Sequence, residues 1–221
     1  MAKVTIFHKL SVASCVTSVY KSHSFNAMEE VAGFSRNVNE DCKQYAFLGA
    51  NISVHKIEYT PYFQVENQKI INQIKQILTD EVSLIRGSQG DKLGKRFGVN
   101  GYEDWLMYKV ENENDLDKMV AHHEGFMNKV GWKFFEQTST LEGISQYLNE
   151  PILKTSVESL SEEEKIRLVR QNGVDSMING IVSAWLVNEE EFEKLVSNYR
   201  AIFFPEHIQK SLDILLEGMH Q

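Results

Sequence analysis

The sequence predicts an α+β fold, in which a mixed or mainly antiparallel sheet of about five strands has amphipathic helices packed on one side. The first observation is that short apolar alternations typical of strands lie mainly in the first half of the chain. The second is that apolar residues recur every three or four positions from Asp115 onwards, which predicts a helix-rich C-terminal half. The third is that Asn67, Asn112 and Asn188 each follow an apolar run and precede an amphipathic segment, as where a covering helix begins after a strand.

The first half contains most of the predicted strands. Alternating apolar residues predict strands over residues 3–9, 15–20 and 52–57. Pro61 is expected to interrupt the third of them, because proline lacks the N–H that a neighbouring strand would bind. The single apolar residues between positions 26 and 33 indicate a short helix.

The middle of the chain joins a strand to a helix. Residues 105–111 alternate in the manner of a strand, and Asn112 is expected to end it. The apolar stripe of the following helix consists of Leu116, Met119, Val120, His123, Met127, Val130 and Phe134. The simplest expectation for Trp132, Phe134 and Phe135 is that they belong to the core. Because Trp132 and Phe135 cannot both share the stripe with Phe134, the alternative is that one of them is exposed for contact with a partner.

The remaining elements are bounded by capping and helix-breaking residues. A helix is predicted to begin after Asn67 and to end at Gly87. Residues 181–187 form a nearly continuous apolar run, which is typical of a buried strand. Four more helices are predicted, bounded by Ser139 and Pro151, by Ser161 and Gly173, by Asn188 and Ile202, and by Pro205 and Gly218.

Length and composition favour a single α+β domain over residues 1–221, with a possible sub-boundary near residues 150–160 and a helical C-terminal part. Cys15 and Cys42 are too few for a disulfide framework, which favours a reducing environment. No apolar run reaches the roughly eighteen residues that a membrane helix needs, and polar residues break the N-terminal apolar run before a signal-peptide core forms. We therefore expect a cytoplasmic protein that requires no membrane and no cofactor.

The net charge of −8 is unevenly distributed. Residues 1–110 contain 13 basic and 11 acidic side chains, whereas residues 111–221 contain 10 basic and 20 acidic ones. Because binding to nucleic acid depends on neutralising phosphates with Lys and Arg, no nucleic-acid partner is expected. The alternative to a binding role for the acidic half is a set of solvated helix faces, with acidic triplets that favour helix N-termini.

These observations predict a non-catalytic interaction module, such as an inhibitor, an immunity-like neutraliser, a chaperone or an adaptor, whose acidic half contacts a basic protein. Linear catalytic motifs are missing, since Ser35 and Ser145 retain only the first glycine of the G-x-S-x-G nucleophile pattern. A self-assembling scaffold is a further alternative. The predicted contact residues are Glu162, Glu163, Glu189 and Glu190.

A second function is predicted by the glycine-rich residues 86–102, in which five glycines are interleaved with Lys92, Lys95 and Arg96. Glycine lets backbone N–H groups approach an oxyanion, so this loop could close over a small anionic or phosphorylated ligand of an enzyme or binding protein. The Walker pattern is not met, because the glycine spacing is one residue short and Arg96 stands where Ser or Thr would hold the metal. The alternative is an ordinary surface loop between a helix and a strand.

His122 and His123 raise the question of a metal site. Neighbouring residues on a helix point about 100° apart, so the two rings are poorly placed to bind one ion. A zincin pattern would place a second histidine four residues after His123, and that position is Met127. We therefore expect no metal, with His123 packed in the core and His122 at the surface.

Overall fold

The computed structural model describes residues 14–29, 31–52, 57–78, 96–97, 108–188, 190–202 and 206–219. These residues form two compact units. The first unit comprises the described parts of Met1–Val65 and Gly87–Glu136, and the second comprises those of Glu66–Arg86 and Gln137–Gln221. The predicted single domain with a sub-boundary near residues 150–160 stays a prediction.

The first unit contains an antiparallel sheet in the order β1-β2-β3-β4-β5, apart from the last two residues of β4, which belong to the second unit. The strands are β1 Asn26–Ala27, β2 Gly33–Asn37, β3 Cys42–Ile52, β4 Ile57–Asn67 and β5 Tyr108–Val110. In the register, Ser35 lies opposite Tyr45, and Tyr59 lies opposite Tyr108. The sheet and the helices together confirm the predicted α+β class and the helix-rich C-terminal half.

The prediction of a strand over residues 15–20 was wrong. This segment is helical, and helix α1 spans Thr17–Lys21. The buried residues of this segment, Val16, Val19 and Tyr20, are spaced as on one helix face. Over so short a run this spacing is hard to distinguish from the alternation of a strand.

Other strand predictions in the first half need smaller corrections. Residues 26–33 form β1 and the start of β2 rather than a helix, because pairing with distant strands outweighs weak local preference. Pro61 lies inside β4 instead of interrupting it, since its fixed φ is compatible with extended backbone. The predicted strand over residues 52–57 is divided between β3 and β4, and residues 53–56 lie outside the described residues. The strand predicted over residues 3–9 lies outside them as well.

A π-helical turn interrupts the long helical segment that follows β5. Helix α3 spans Glu113–Phe126, the π-helical segment spans Met127–Gly131, and helix α4 spans Trp132–Gln137. The predicted strand before them is confirmed for β5, whereas residues 105–107 lie outside the described residues. A π turn takes one residue more than an α turn, so the side chains that follow are displaced around the helix axis.

The three aromatic residues of α4 belong to the core, which confirms the simpler of the two expectations for them. Trp132, Phe134 and Phe135 are all buried. Phe25 contacts both Trp132 and Phe135, with ring centroids 6.0 Å and 5.0 Å apart respectively. Gln44 Nε2 on β3 donates a hydrogen bond of 2.6 Å to the Phe135 carbonyl, which joins α4 to the sheet.

The described part of the second unit is helical apart from its first two residues and its connections. Its helices are α2 Gln68–Ile77, α5 Leu141–Leu153, a 3₁₀ turn Val157–Ser159, α6 Glu162–Asn172, α7 Val174–Leu186, α8 Phe192–Ile202 and α9 Glu206–Met219. Helix α7 is central, since it packs against α2, α5, α6 and α8. The predicted strand over residues 181–187 was therefore wrong. A short apolar run that is buried all round looks the same in a strand and in a helix.

Several predicted helix ends are confirmed. Asn67 caps α2, and its side chain accepts hydrogen bonds from the N–H groups of Lys69 and Ile70. Asn112 caps α3. Ser161 opens α6, and Gly173 ends it with a φ of 75°, a conformation that favours glycine.

Other helix ends differ from the prediction. Helix α2 ends at Ile77 rather than at Gly87, and residues 79–87 lie outside the described residues. Thr140 replaces Ser139 as the cap of α5, because its hydroxyl accepts the Gly143 N–H. Pro151 and Gly218, which were predicted to end helices, lie inside α5 and α9 respectively.

Asn188 does not open the next helix as predicted. Its φ of 52° is left-handed, and its N–H donates to the Trp185 carbonyl, so it ends α7. Helix α8 begins at Phe192, four residues after Asn188, and the Leu195 N–H donates to the carbonyl of Glu191 just before it. Pro205, predicted in the first turn of the last helix, lies outside the described residues.

Candidate functional site

The first turn of α6 carries two of the predicted contact residues, Glu162 and Glu163. Ser161 Oγ accepts the Glu164 N–H at 3.3 Å, and the Glu164 carboxylate accepts the Ser161 N–H at 2.8 Å. The Ser161 hydroxyl also donates to this carboxylate at 2.8 Å. The two hydrogen bonds that the carboxylate accepts lower the pKa of Glu164, the one from the Ser161 backbone most. Glu164 is thus held by the cap, whereas Glu162 and Glu163 are exposed and form no ion pair with another described residue.

Helix α6 also exposes an apolar side chain beside these carboxylates. Ile166 is 43% exposed and follows Glu163 and Glu162 by three and four positions, so the three share one helix face. No side chain from residue 162 to 169 is buried, although α6 packs against α7 and α8. Arg167 is an exposed basic neighbour. We call Glu162, Glu163 and Ile166 the α6 acidic surface.

The other two predicted contact residues lie before α8. Glu190 is exposed in the turn that leads into this helix, which packs against α6. Glu189 lies outside the described residues. Glu191, which follows Glu190, forms an ion pair with Lys194. The structure thus places Glu190 next to an element that packs on α6, and the contact role of all four predicted glutamates stays a prediction.

The predicted anion loop is described only at Arg96 and Phe97, both of which are half-buried. Lys92 and Lys95 lie outside the described residues. The second predicted function, a small anionic ligand bound under residues 86–102, therefore also stays a prediction.

The two neighbouring histidines occupy different environments in the first unit, as predicted. His123 is 1% exposed, and its Nε2 lies 2.8 Å from the hydroxyl oxygen of Tyr20 on α1. His122 is exposed, and its Nδ1 lies 3.2 Å from the hydroxyl oxygen of Tyr108 on β5. Each histidine of α3 is therefore hydrogen-bonded to a tyrosine from a different element.

Burial controls the ionisation of the Tyr20–His123 pair. It lowers the pKa of His123 to about 4, with a smaller contribution from His122. Burial also raises the pKa of Tyr20 well above its ordinary value, with a smaller contribution from Tyr108. At pH 7 the pair is uncharged, which suits a structural tie between α1 and α3.

Within the ranges that the structure describes, no three His, Cys, Asp or Glu side chains are grouped so that they could hold a metal ion. No described helix is long and apolar enough to cross a membrane.

Two residues of the sites described above, Tyr20 and Ile166, were not identified from the sequence. Tyr20 was assigned to a strand, and it meets His123 only through the fold, since 103 positions separate them. Ile166 could have been found from its spacing, because it follows Glu162 by one helical turn in a segment rich in charge.

Comparisons with known proteins found no matching family model, no matching curated protein and no matching solved structure.

Proposed function

We propose that the protein is a cytoplasmic, non-catalytic interaction module that binds a basic protein through the α6 acidic surface. The observation that carries the proposal is the placement of exposed Glu162 and Glu163 beside the half-exposed Ile166. The excess of acidic side chains in residues 111–221 supports it, because a field of one sign attracts a partner of the other.

The two kinds of side chain have different roles in such an interface. Exposed carboxylates increase the association rate and make it depend on salt. An apolar side chain that is desolvated on binding instead slows dissociation. Substitution of Glu163 should therefore reduce the association rate, whereas substitution of Ile166 should increase the dissociation rate.

Affinity capture from a lysate of the source cells at low salt tests the proposal, with the wild-type chain and the Glu163→Lys variant as baits. Glu142→Lys is the matched control, because Glu142 is an exposed residue in the first turn of α5 and its reversal disturbs a helix N-terminus in the same way. We expect one basic protein to be enriched by the wild type and by Glu142→Lys. The Glu163→Lys bait should recover at least tenfold less of it.

Three results would contradict the proposal. The first is equal recovery of the basic protein by Glu163→Lys and the wild type. The second is recovery that does not decrease when the salt concentration is raised, because exposed ion pairs are screened by salt. The third is a wild-type bait that enriches no basic protein.

A further inference from the structure

The Tyr20–His123 pair is enclosed by aromatic side chains of the first unit. The Tyr20 ring stacks on Phe34, with ring centroids 4.3 Å apart, and packs edge-on against Trp132, with centroids 5.9 Å apart. The Tyr108 and His123 rings also pack edge-on, with centroids 6.2 Å apart. The Tyr20 hydroxyl also lies 3.7 Å from the sulfur of Met127, the first residue of the π-helical segment. Water is thus excluded from a pair of polar groups that joins α1 to α3.

One nitrogen of this buried histidine has no hydrogen-bond partner. Nδ1 of His123 is enclosed and unpaired, while Nε2 bonds to Tyr20. If Nδ1 carries the proton, a buried donor is unsatisfied, and if Nε2 carries it, a buried acceptor is unsatisfied. In either state His123 lacks a partner that would stabilise a second proton on the ring.

The groups that face His123 do not compensate for a positive charge. They are Tyr20 from α1, Tyr108 from β5 and its own neighbour His122, which in turn lies near Lys129. None of these described groups is a carboxylate. Because an isolated cation is costly to bury, the ring accepts a proton at mildly acidic pH only when it reaches water.

We propose that His123 is an acid-sensitive latch, whose protonation at mildly acidic pH releases α1 from α3. Release exposes His123 to water and breaks the Tyr20–His123 hydrogen bond. It also frees the segment after α1, where the N–H groups of His23 and Phe25 donate to the Tyr20 carbonyl. This latch lies in the first unit and does not depend on the α6 acidic surface.

The direction of the pH effect follows from linkage. The pKa of His123 is about 4 in the closed state and about 6.5 when the ring is exposed. The closed state is therefore fully stable above pH 6.5 and loses stability as the pH falls from 6.5 towards 4. Within this window, the ratio of open to closed molecules should rise up to about tenfold for each pH unit.

Hydrogen exchange followed by mass spectrometry tests the latch, with rates corrected for the intrinsic effect of pH. We expect exchange in peptides that cover residues 17–25 to increase about sevenfold between pH 6 and pH 5 in the wild type. In His123→Gln, whose amide can still bond to Tyr20 but does not titrate in this range, the increase should be less than twofold. His122→Gln is the matched control and should respond as the wild type does.

The same acid response in His123→Gln and the wild type would overturn the proposal, and so would a wild type that shows none. If the Gln variant does not fold, NMR titration of the histidine ring protons of the wild type tests the latch instead. The latch predicts that the His123 resonance of the closed state keeps the neutral shift down to pH 5. An ordinary titration near pH 6.5 without increased exchange would contradict it.

Discussion

The hydroxyl group of Tyr199 donates a hydrogen bond of 3.0 Å to Asn149 Oδ1 inside the second unit, and it thereby joins α8 to α5. Asn149 Nδ2 in turn donates to the Gly180 carbonyl on α7 at 2.8 Å and to Ser145 Oγ at 3.2 Å. All four residues are buried, so this network fixes the arrangement of three helices with few unsatisfied polar atoms.

Removal of the Tyr199 hydroxyl group should destabilise the protein. Tyr199→Phe leaves Asn149 Oδ1 buried without its donor, so we expect a loss of about 1–2 kcal/mol in the free energy of unfolding. Urea denaturation followed by circular dichroism measures it. Tyr62→Phe is the control, because Tyr62 is only half-buried. Equal stability of Tyr199→Phe and the wild type would show that the Tyr199–Asn149 hydrogen bond contributes nothing to stability.

Gly180→Ala should also destabilise the protein, although alanine is the better helix former. A Cβ atom at Gly180 would lie 2.4 Å from Asn149 Oδ1 and 2.8 Å from the Tyr199 hydroxyl oxygen, so one of them must move. We expect a net loss of about 1–3 kcal/mol, even though the helix propensity alone favours alanine by about 1 kcal/mol. Urea denaturation shows whether the clash of the added Cβ atom or the higher helix propensity of alanine has the larger effect on stability. A gain in stability would mean that α7 can shift away from this network.

At Gly173, where α6 ends, the effect of backbone conformation can be measured alone. Its φ is 75°, and a Cβ atom there would meet no other atom within 4 Å. Gly173→Ala should therefore cost about 1–3 kcal/mol through strain. Gly173→Asn should cost about as much, because a ψ of 144° lies outside the left-handed helical region that Asn tolerates. Thermal denaturation of both variants is the measurement. A Gly173→Asn variant as stable as the wild type would contradict this account of the helix end.

The cap of α6 should depend on pH through Glu164. Because its pKa is lowered by the hydrogen bonds from Ser161, Glu164 stabilises the folded state above its ordinary pKa, and this contribution is lost as the pH falls through the lowered value. Glu164→Gln should be less stable than the wild type at pH 7 and should lose less stability between pH 5 and pH 3. Urea denaturation at each pH checks this, and parallel curves for the two proteins would refute it.

Helix starts could be predicted where the signal is local. The caps at Asn67, Asn112 and Ser161 depend on side chains that bond to N–H groups two or three residues away. The run at residues 181–187 was misassigned because its state depends on burial by α2, α5 and α8, which the local sequence does not contain. Asn188 was misassigned for a related reason, since an asparagine favours both the start and the end of a helix.

The candidate site divides in the same way. The exposure of Glu162 and Glu163 could be predicted, because acidic residues in a first helical turn are commonly solvated. The contact of Tyr20 with His123 could not, because it requires the sheet and α3 to bring distant segments together. Burial of His123 itself was predicted from its place in the apolar stripe, which is a local pattern.

The most direct test of the α6 acidic surface is the affinity of the purified partner for Glu163→Lys, measured by biolayer interferometry beside Glu142→Lys and the wild type. We expect the Kd of Glu163→Lys to increase at least tenfold at low salt, mainly through a slower association rate. The Kd of Glu142→Lys should remain within twofold of the wild-type value. Equal Kd values for the two variants would contradict binding through α6.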